Sequence, residues 1–208
     1  MTTDGGLPQE AVEDLVERAK AGDRPAFGQL VEVYQDKIYG YVSRMLGDPD
    51  EAEDVAQETF VRAYRSLPHF RGAASFHTWL YRIASNLAID VARRNRRQST
   101  GDFSLDEPLE SEEGDYEREI ADESGSPEQL TQRREMQELV RQAVAELPEK
   151  LRAVVVLYEL QGESYEDIAE ILGCPLGTVK SRLFNARSQL KDMLEQLVDV
   201  GELEVEQL

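Results

Sequence analysis

The stretch Ser164 to Arg187, SYEDIAEILGCPLGTVKSRLFNAR, reads as two short helices around a tight turn. Ser164 is placed to cap the first helix, with Asp167 three positions on in the place a capping box gives to Glu or Gln. Ile168, Ala169, Ile171 and Leu172 then recur at helical spacing. Gly173 suits a left-handed helix end, and Pro175 suits the first turn of the next helix. There Leu176, Val179, Leu183, Ala186 and Leu190 step by three and four and face inward. Thr178, Lys180, Ser181, Arg182, Phe184, Asn185 and Arg187 are left on or beside the outer face. A helix entering the major groove of duplex DNA needs such a face: donors for phosphates and base edges, and an apolar contact for a thymine methyl. An ordinary helical hairpin with solvated charges shares much of this pattern, because helix-turn-helix sequences are short and degenerate.

Outside that stretch, composition sets the bounds. The chain has 208 residues, 40% of them hydrophobic, enough for one or two domains with real cores. No run of about eighteen apolar residues suggests a membrane span. The polar, acidic start MTTDGGLPQEAVEDL lacks a basic, apolar leader pattern, so a cytoplasmic protein is expected. The single cysteine, Cys174, allows neither an internal disulfide nor a cysteine zinc cluster; at the turn it is expected to fill a small site or cap the second helix. His69 and His77 are too poorly accompanied for a metal site.

The net charge of −19 argues at first against nucleic acid, but it is unevenly spread. Residues 1–100 carry −2, residues 101–130 carry −11 and residues 131–208 carry −6. Arg93, Arg94, Arg96 and Arg97 form a basic cluster within the first part. Local fields decide binding more than totals do. So acidic a chain should still bind DNA weakly alone, since phosphate neutralisation supplies most non-specific affinity. A partner is expected.

The acidic segment 101–130 is rich in Asp, Glu, Ser, Gly and Pro with little apolar periodicity, and reads as a flexible linker. The expected architecture is all-α: two small helical domains joined by that linker, the second containing the helix-turn-helix. In the first, helices are expected over Ala11–Lys20, Arg24–Leu46, Glu51–Ser66 and Phe76–Arg97, with Gly22, Gly47 and Pro68 as breaks and a loop over His69–Ser75. In the second they are expected over Glu128–Glu146, Glu149–Gln161, Ser164–Leu172 and Pro175–Val198, before an acidic tail over 199–208.

Three blocks in this order resemble the extracytoplasmic-function, or group IV, sigma factors of bacterial RNA polymerase, most closely the envelope-stress type. They are DEAEDVAQETFVRAYRSLPHFRG (50–72), FHTWLYRIASNLAIDVARR (76–94) and LPEKLRAVVVLYELQGESYEDIAEILGCPLGTVKSRLFNAR (147–187). The resemblance spans roughly residues 10–97 and 131–195. It implies a region 2 domain over 1–98, a linker over 99–130, a region 4 domain over 131–198 and a tail over 199–208. The implied function is to direct core polymerase to promoters, reading the −35 element as duplex and the −10 element as melted single strand.

By resemblance, block 50–72 docks on the clamp helices of the polymerase β′ subunit, and the β flap is a second polymerase contact. The helix turns Val55, Ala56 and Phe60 inward, leaving Asp54, Gln57, Glu58, Arg62 and Arg65 as a mixed polar patch suited to charge-assisted bonds with a partner. Block 70–94 resembles the regions that open the −10 element. A flipped base needs an aromatic or apolar surface and hydrogen bonds to its edge, while arginines hold the backbone. By resemblance Phe70, Arg71 and Asn86 surround that base, and Arg82, Arg93, Arg94, Arg96 and Arg97 fall where phosphate contacts suit. Trp79, in register with Ile83 and Leu87, is assigned mainly to packing, while Phe76, His77 and Tyr81 are expected near nucleic acid.

In the last block the resemblance points Lys180, Phe184 and Asn185 at −35 bases, and Ser181, Arg182 and Arg187 at phosphates. Envelope-stress relatives carry Arg at the positions of Lys180 and Asn185, so their −35 sequence does not carry over to this chain. The acidic linker would either mimic nucleic acid electrostatically in the polymerase cleft or act as an inert tether. The family also implies an anti-sigma factor as partner, no cofactor, and no catalysis of its own. A stand-alone helix-turn-helix regulator would explain residues 164–187 and leave the first domain without a role. A small hydrolase built on the carboxylates around Asp48 to Asp54 lacks any nucleophile–base pair.

Overall fold

Aspartate before, and glycine after, a run of helical spacing sets the long helices of the first half. Helix α2, Arg24–Leu46, starts where the Asp23 carboxylate accepts from the Ala26 N–H at 3.2 Å. It ends at Gly47, whose φ of 78° lies in the left-handed region that glycine enters without a Cβ penalty. One residue on, Asp48 accepts from the Glu51 N–H at 2.9 Å and opens α3, Pro49–Ser66, with proline in the first turn. The computed structural model of the chain describes the backbone of residues 3–4, 7–99 and 127–205, and the side chains of 7–98 and 136–196. Before α2 stand α1, Gln9–Lys20, and a short antiparallel pair, β1 (Thr3–Asp4) and β2 (Leu7–Pro8), an addition to the helical expectation. A 3₁₀ turn, Leu67–His69, follows α3, and α4 runs Phe76–Ser99.

Helices α1 to α4 pack around Leu30, Tyr34, Ile38, Tyr41, Met45, Leu80 and Tyr81, all essentially inaccessible to solvent. Hydroxyls carried inside are hydrogen-bonded. Tyr41 Oη and Ser85 Oγ lie 2.9 Å apart, and the Thr59 hydroxyl donates to the Val55 carbonyl at 2.7 Å. Burial pushes the Tyr41 hydroxyl far above its ordinary value, so it stays neutral.

The second half comprises α5 (Pro127–Glu146), α6 (Glu149–Val155), a π-helical turn (Val156–Leu160), α7 (Tyr165–Leu172) and α8 (Leu176–Val205). One helix was expected over Glu149–Gln161. The chain instead widens to a π turn, with the Gln161 N–H reaching back to the Val156 carbonyl at 3.0 Å. Ala153 to Leu157 are consecutively buried, so this segment is covered on every side. The aliphatic core continues through Ile168, Ile171, Val179, Leu183 and Ala186.

Two boundaries differ from the sequence reading. Helix α5 begins at Pro127, one residue before the expected Glu128, so helix and assigned linker overlap over 127–130. Helix α8 continues to Val205, through most of the expected tail; Gly201 weakens a helix without ending it when no proline follows. The flexibility expected of the remaining linker falls on residues 100–126, outside the described residues.

The two helical units also pack on each other, which the linker reading did not anticipate. Helix α4 lies against α6 and α7, and α2 against α5 and the π turn. Arg152 of α6 donates to the Met45 carbonyl at the end of α2, where the helix dipole favours a cation. Burial at this position lowers the affinity of its guanidinium for the proton.

Candidate functional site

Three surfaces carry the side chains that the sequence singled out. The first is α8. Ser164 Oγ accepts from the Asp167 N–H at 3.0 Å and starts α7; Gly173, at φ 59°, ends it and turns the chain into α8. The Asp167 carboxylate accepts a hydrogen bond from the Ser164 hydroxyl rather than from a backbone N–H, because Asp is one methylene shorter than the Glu of a full capping box. With Val179, Leu183 and Ala186 inside, Lys180, Ser181, Phe184, Asn185 and Arg187 are exposed, and Thr178 is half-buried. Phe184 is 74% exposed. Arg182 stands apart: it is half-buried, with its guanidinium 3.7 Å from Cys174 Sγ.

Sequence reasoning missed the residues that steady this face. Tyr158 and Tyr165 stack at 4.8 Å between ring centroids. Arg187 lies over Tyr158 at 5.5 Å and donates from Nε and Nη2 to Glu159 Oε1 at 3.0 and 2.6 Å. Lys180 Nζ sits 6.0 Å from the Tyr165 ring centre. Arg187 lies 28 and 29 positions from Glu159 and Tyr158, and Lys180 lies 15 from Tyr165, so no local periodicity announces these contacts.

The second surface is α4 with the loop before it. The Phe70 ring is half-buried, 4.9 Å from Trp79 and 6.3 Å from Phe76. Trp79 is therefore a packing residue with one face toward the loop, as assigned. Arg71 and Arg94 are exposed. Two expectations fail here. Phe76 and Tyr81 are not nucleic-acid neighbours but core: they are 6% and 1% exposed, and the Tyr81 hydroxyl donates to Gln161 at 3.0 Å. His77, also expected near nucleic acid, instead places Nε2 2.7 Å from Glu163 Oε1, with both side chains largely covered.

Arg82, Asn86 and Arg93 fall on one stripe of α4, and that stripe faces the second unit. Arg82 Nε donates to the Glu170 carbonyl at 2.9 Å. Arg93 Nε lies 3.4 Å from Glu149 Oε1, and Arg96 Nη1 lies 3.5 Å from Glu149 Oε2. Asn86 lines a cavity of about 300 Å³ with Asp90, Arg93, Lys150, Cys174 and Arg182. Burial alone would raise the Glu149 carboxyl. Its own backbone N–H and the guanidiniums of Arg93 and Arg96 outweigh that and hold it below the usual range.

The third surface is the outer side of α3. Asp54, Gln57, Arg62 and Arg65 are exposed and Glu58 is half-buried. Gln57 bonds Glu53 at 3.0 Å and Arg62 bonds Glu58 at 2.7 Å, one turn apart, pairs that contribute little to stability in water. Val61 and Tyr64, 41% and 42% exposed, add apolar area that the sequence reading did not include. Among the described residues no group of three metal-ligating side chains gathers, and no helix is long and apolar enough to cross a membrane.

Both helical units match known families. Residues 30–98 match the Sigma-70 region 2 family, and residues 137–190 match Sigma-70, region 4. The chain is 45% identical to the RNA polymerase sigma-H factor of Pseudomonas aeruginosa, over 92% of this chain and 98% of that protein. It is 42% identical to the ECF RNA polymerase sigma-E factor of Escherichia coli K12, over 88% and 94%. Among solved structures it is similar to CnrH in complex with the cytosolic domain of CnrY, with TM-score 0.62 and 27% identity over 89% of this chain and 98% of that one. It is also similar to the sigma factor RpoE of Bartonella quintana, solved with the anti-sigma factor NepR, with TM-score 0.59 and 25% identity over 81% and 96%. A stand-alone helix-turn-helix regulator would leave the region 2 match unexplained. The chain belongs to the extracytoplasmic-function type of the sigma-70 family, the RNA polymerase sigma factors that give transcription initiation its promoter specificity.

Proposed function

We propose that residues 1–98 grip core polymerase and the melted −10 strand, that residues 131–198 read the −35 element as duplex, and that residues 99–130 and 199–208 serve as tether and tail. One observation supports the second assignment above the others. Phe184 is 74% exposed on a helix whose opposite face is fully packed, between Lys180 and Asn185. An aromatic ring there has nothing in the fold to pack against, and suits a thymine methyl in a major groove. Lys180 and Asn185 would supply base-edge hydrogen bonds, with Thr178, Ser181, Arg182 and Arg187 on the backbone.

In the first unit, the outer side of α3 is assigned to the β′ clamp helices. Asp54, Gln57, Glu58, Arg62 and Arg65 are its charged and amide partners, and exposed Val61 and Tyr64 add apolar area. The β flap is assigned to the second unit. Phe70, Arg71 and Asn86 are assigned to the flipped −10 base, and Arg82, Arg93 and Arg94 to its backbone. Phosphodiester chemistry remains with the polymerase, so the chain contributes binding and orientation and needs no cofactor. An anti-sigma factor is the expected antagonist, since a similar sigma factor was solved bound to one. The cytoplasm, where polymerase and promoter are, is the expected location.

Lys180→Ala tests the −35 assignment. Initiation in vitro from a −35-dependent promoter should fall about tenfold, the size expected for one good base contact, while co-purification with core polymerase stays unchanged. Equal loss of both would remove the assignment.

A further inference from the structure

We infer that Glu159 is a positioning residue of the −35 interface: it holds the Arg187 guanidinium with one edge left for a backbone phosphate of the duplex. The inference rests on the assignment of Arg187 to that backbone given above, and names what orients it. By charge alone an acidic side chain is out of place on a face that meets DNA. From Leu176 to Leu190 the reading helix carries no Asp or Glu, and Lys180, Ser181, Asn185 and Arg187 are exposed along it. Glu159 brings a carboxylate to that face from another element, the π-helical turn Val156–Leu160. Turns of this kind recur at functional sites. A carboxylate there repels the DNA backbone, so it weakens binding unless its contact with Arg187 favours binding by more than that repulsion.

Arg187 Nε and Nη2 both donate to Glu159 Oε1, at 3.0 and 2.6 Å, so the carboxylate takes one edge of the planar fork. The other edge, Nη1 with the remaining Nη2 N–H, keeps the bidentate pattern that suits a phosphate. The flat face of the guanidinium rests on Tyr158 at 5.5 Å, and Tyr158 is stacked on Tyr165 at 4.8 Å. Movement in the plane of the fork and movement out of it are both restrained. A long side chain that would otherwise lose rotamers on meeting DNA has lost them beforehand. The two side chains of the ion pair remain 53% and 42% exposed, so the pair contributes little to folding in water.

The test uses the full chain and two fluorescent duplexes, each titrated over a salt series. One carries a −35 element from which the holoenzyme initiates, and the other is scrambled. Arg187→Ala should weaken binding to both about tenfold and lower the salt slope by about one, as a lost phosphate contact does. Glu159→Ala should weaken both about fivefold with the same smaller slope, because the lost restraint outweighs the removed repulsion. Glu159→Gln keeps an oxygen acceptor in place and should recover most of that loss. Charge alone predicts the reverse, with both Glu159 variants binding more tightly by one factor. In an Arg187→Ala background, Glu159→Ala should cause no further loss, whereas a role confined to holding the fold would lower binding in either background. Tighter binding by Glu159→Ala, no recovery in Glu159→Gln, or further loss in the Arg187→Ala background would overturn positioning while the Arg187 assignment stands. Unchanged affinity and slope in Arg187→Ala would remove that assignment, and the inference with it.

Discussion

The first helical unit is built around aromatic rings and the second around aliphatic side chains, and the difference follows what each presents. Tyr34, Tyr41, Tyr81 and Phe76 fill the space between α2 and α4, with ring centroids 5.4 Å apart for Tyr34 and Phe76 and 5.5 Å for Tyr41 and Tyr81. Large rings with a hydrogen-bonded hydroxyl fix long helices at defined spacing. In the second unit Val154, Val156, Ile168, Ile171 and Val179 pack α6, the π turn and α7 against α8, and the aromatic groups move outward: Tyr158 and Tyr165 stack beside the reading face, and Phe184 projects from it. A unit that grips through several elements needs a stiff frame, while a unit that reads through one helix face needs only that helix set at a fixed angle.

The largest effect should come from the aromatic frame. Tyr34→Ala removes a fully buried ring that meets Phe76 edge-on, and should cost about 3–5 kcal/mol of stability in a denaturant melt. Hydrogen exchange then sharpens the comparison. If the units are energetically separate, amides of α2 and α4 should lose protection while those of α7 and α8 keep theirs. Equal loss in both would mean that one continuous core, not two, is being melted.

The two units were also unequally legible from sequence. Helix α2 begins and ends, and α3 begins, where they do because Asp23, Gly47, Asp48 and Pro49 carry strong local signals, and these could be read residue by residue. The helix-turn-helix was legible for the same reason, through Ser164 and Gly173. What escaped was every pairing across the chain. Tyr81 looked like a surface aromatic because its partners, Tyr41 and Gln161, lie 40 and 80 positions away. His77 and Glu163, or Arg93 and Glu149, are similarly silent in one sequence, because helical periodicity specifies a face and never the element that covers it. The start of α5 was legible too, expected at Glu128 and found at Pro127, where proline suits a first turn.

A smaller effect probes the angle of the reading helix. Gly173 has φ 59° and ψ 41°, and a Cβ there would meet nothing within 4 Å, so the cost of Gly173→Ala is conformational. About 1–2 kcal/mol is expected. Because this turn joins α7 to α8, affinity for −35 duplex should fall while affinity for core polymerase holds. A variant that loses stability and leaves duplex binding untouched would show that α6 and the π turn, not the turn at Gly173, fix the helix.

The smallest effect lies at the seam, where the two units answer pH together. Glu149 is held below the usual carboxylate range in the docked state, by its own backbone N–H and by Arg93 and Arg96 from α4. Arg152 on its own helix adds attraction, while Glu146 bears on Arg152. Only the lowering that comes from Arg93 and Arg96 depends on docking; it stabilises the docked state above the undocked pKa, and that contribution fades as pH falls through the docked value. The distance between the units, read by spin labels on Glu53→Cys and Ser188→Cys in a Cys174→Ala background, should therefore lengthen on acidification, below the ordinary range of a glutamate. The chain carries 42 acidic residues, so a general acid response is certain to be superimposed on this one. Glu149→Gln separates the two: it should begin more open at neutral pH and change less on acidification. Identical pH profiles for the variant and the wild-type protein would mean that the bonds from α4 to Glu149 contribute nothing to docking, and that His77, Tyr81 and Arg82 keep the units together.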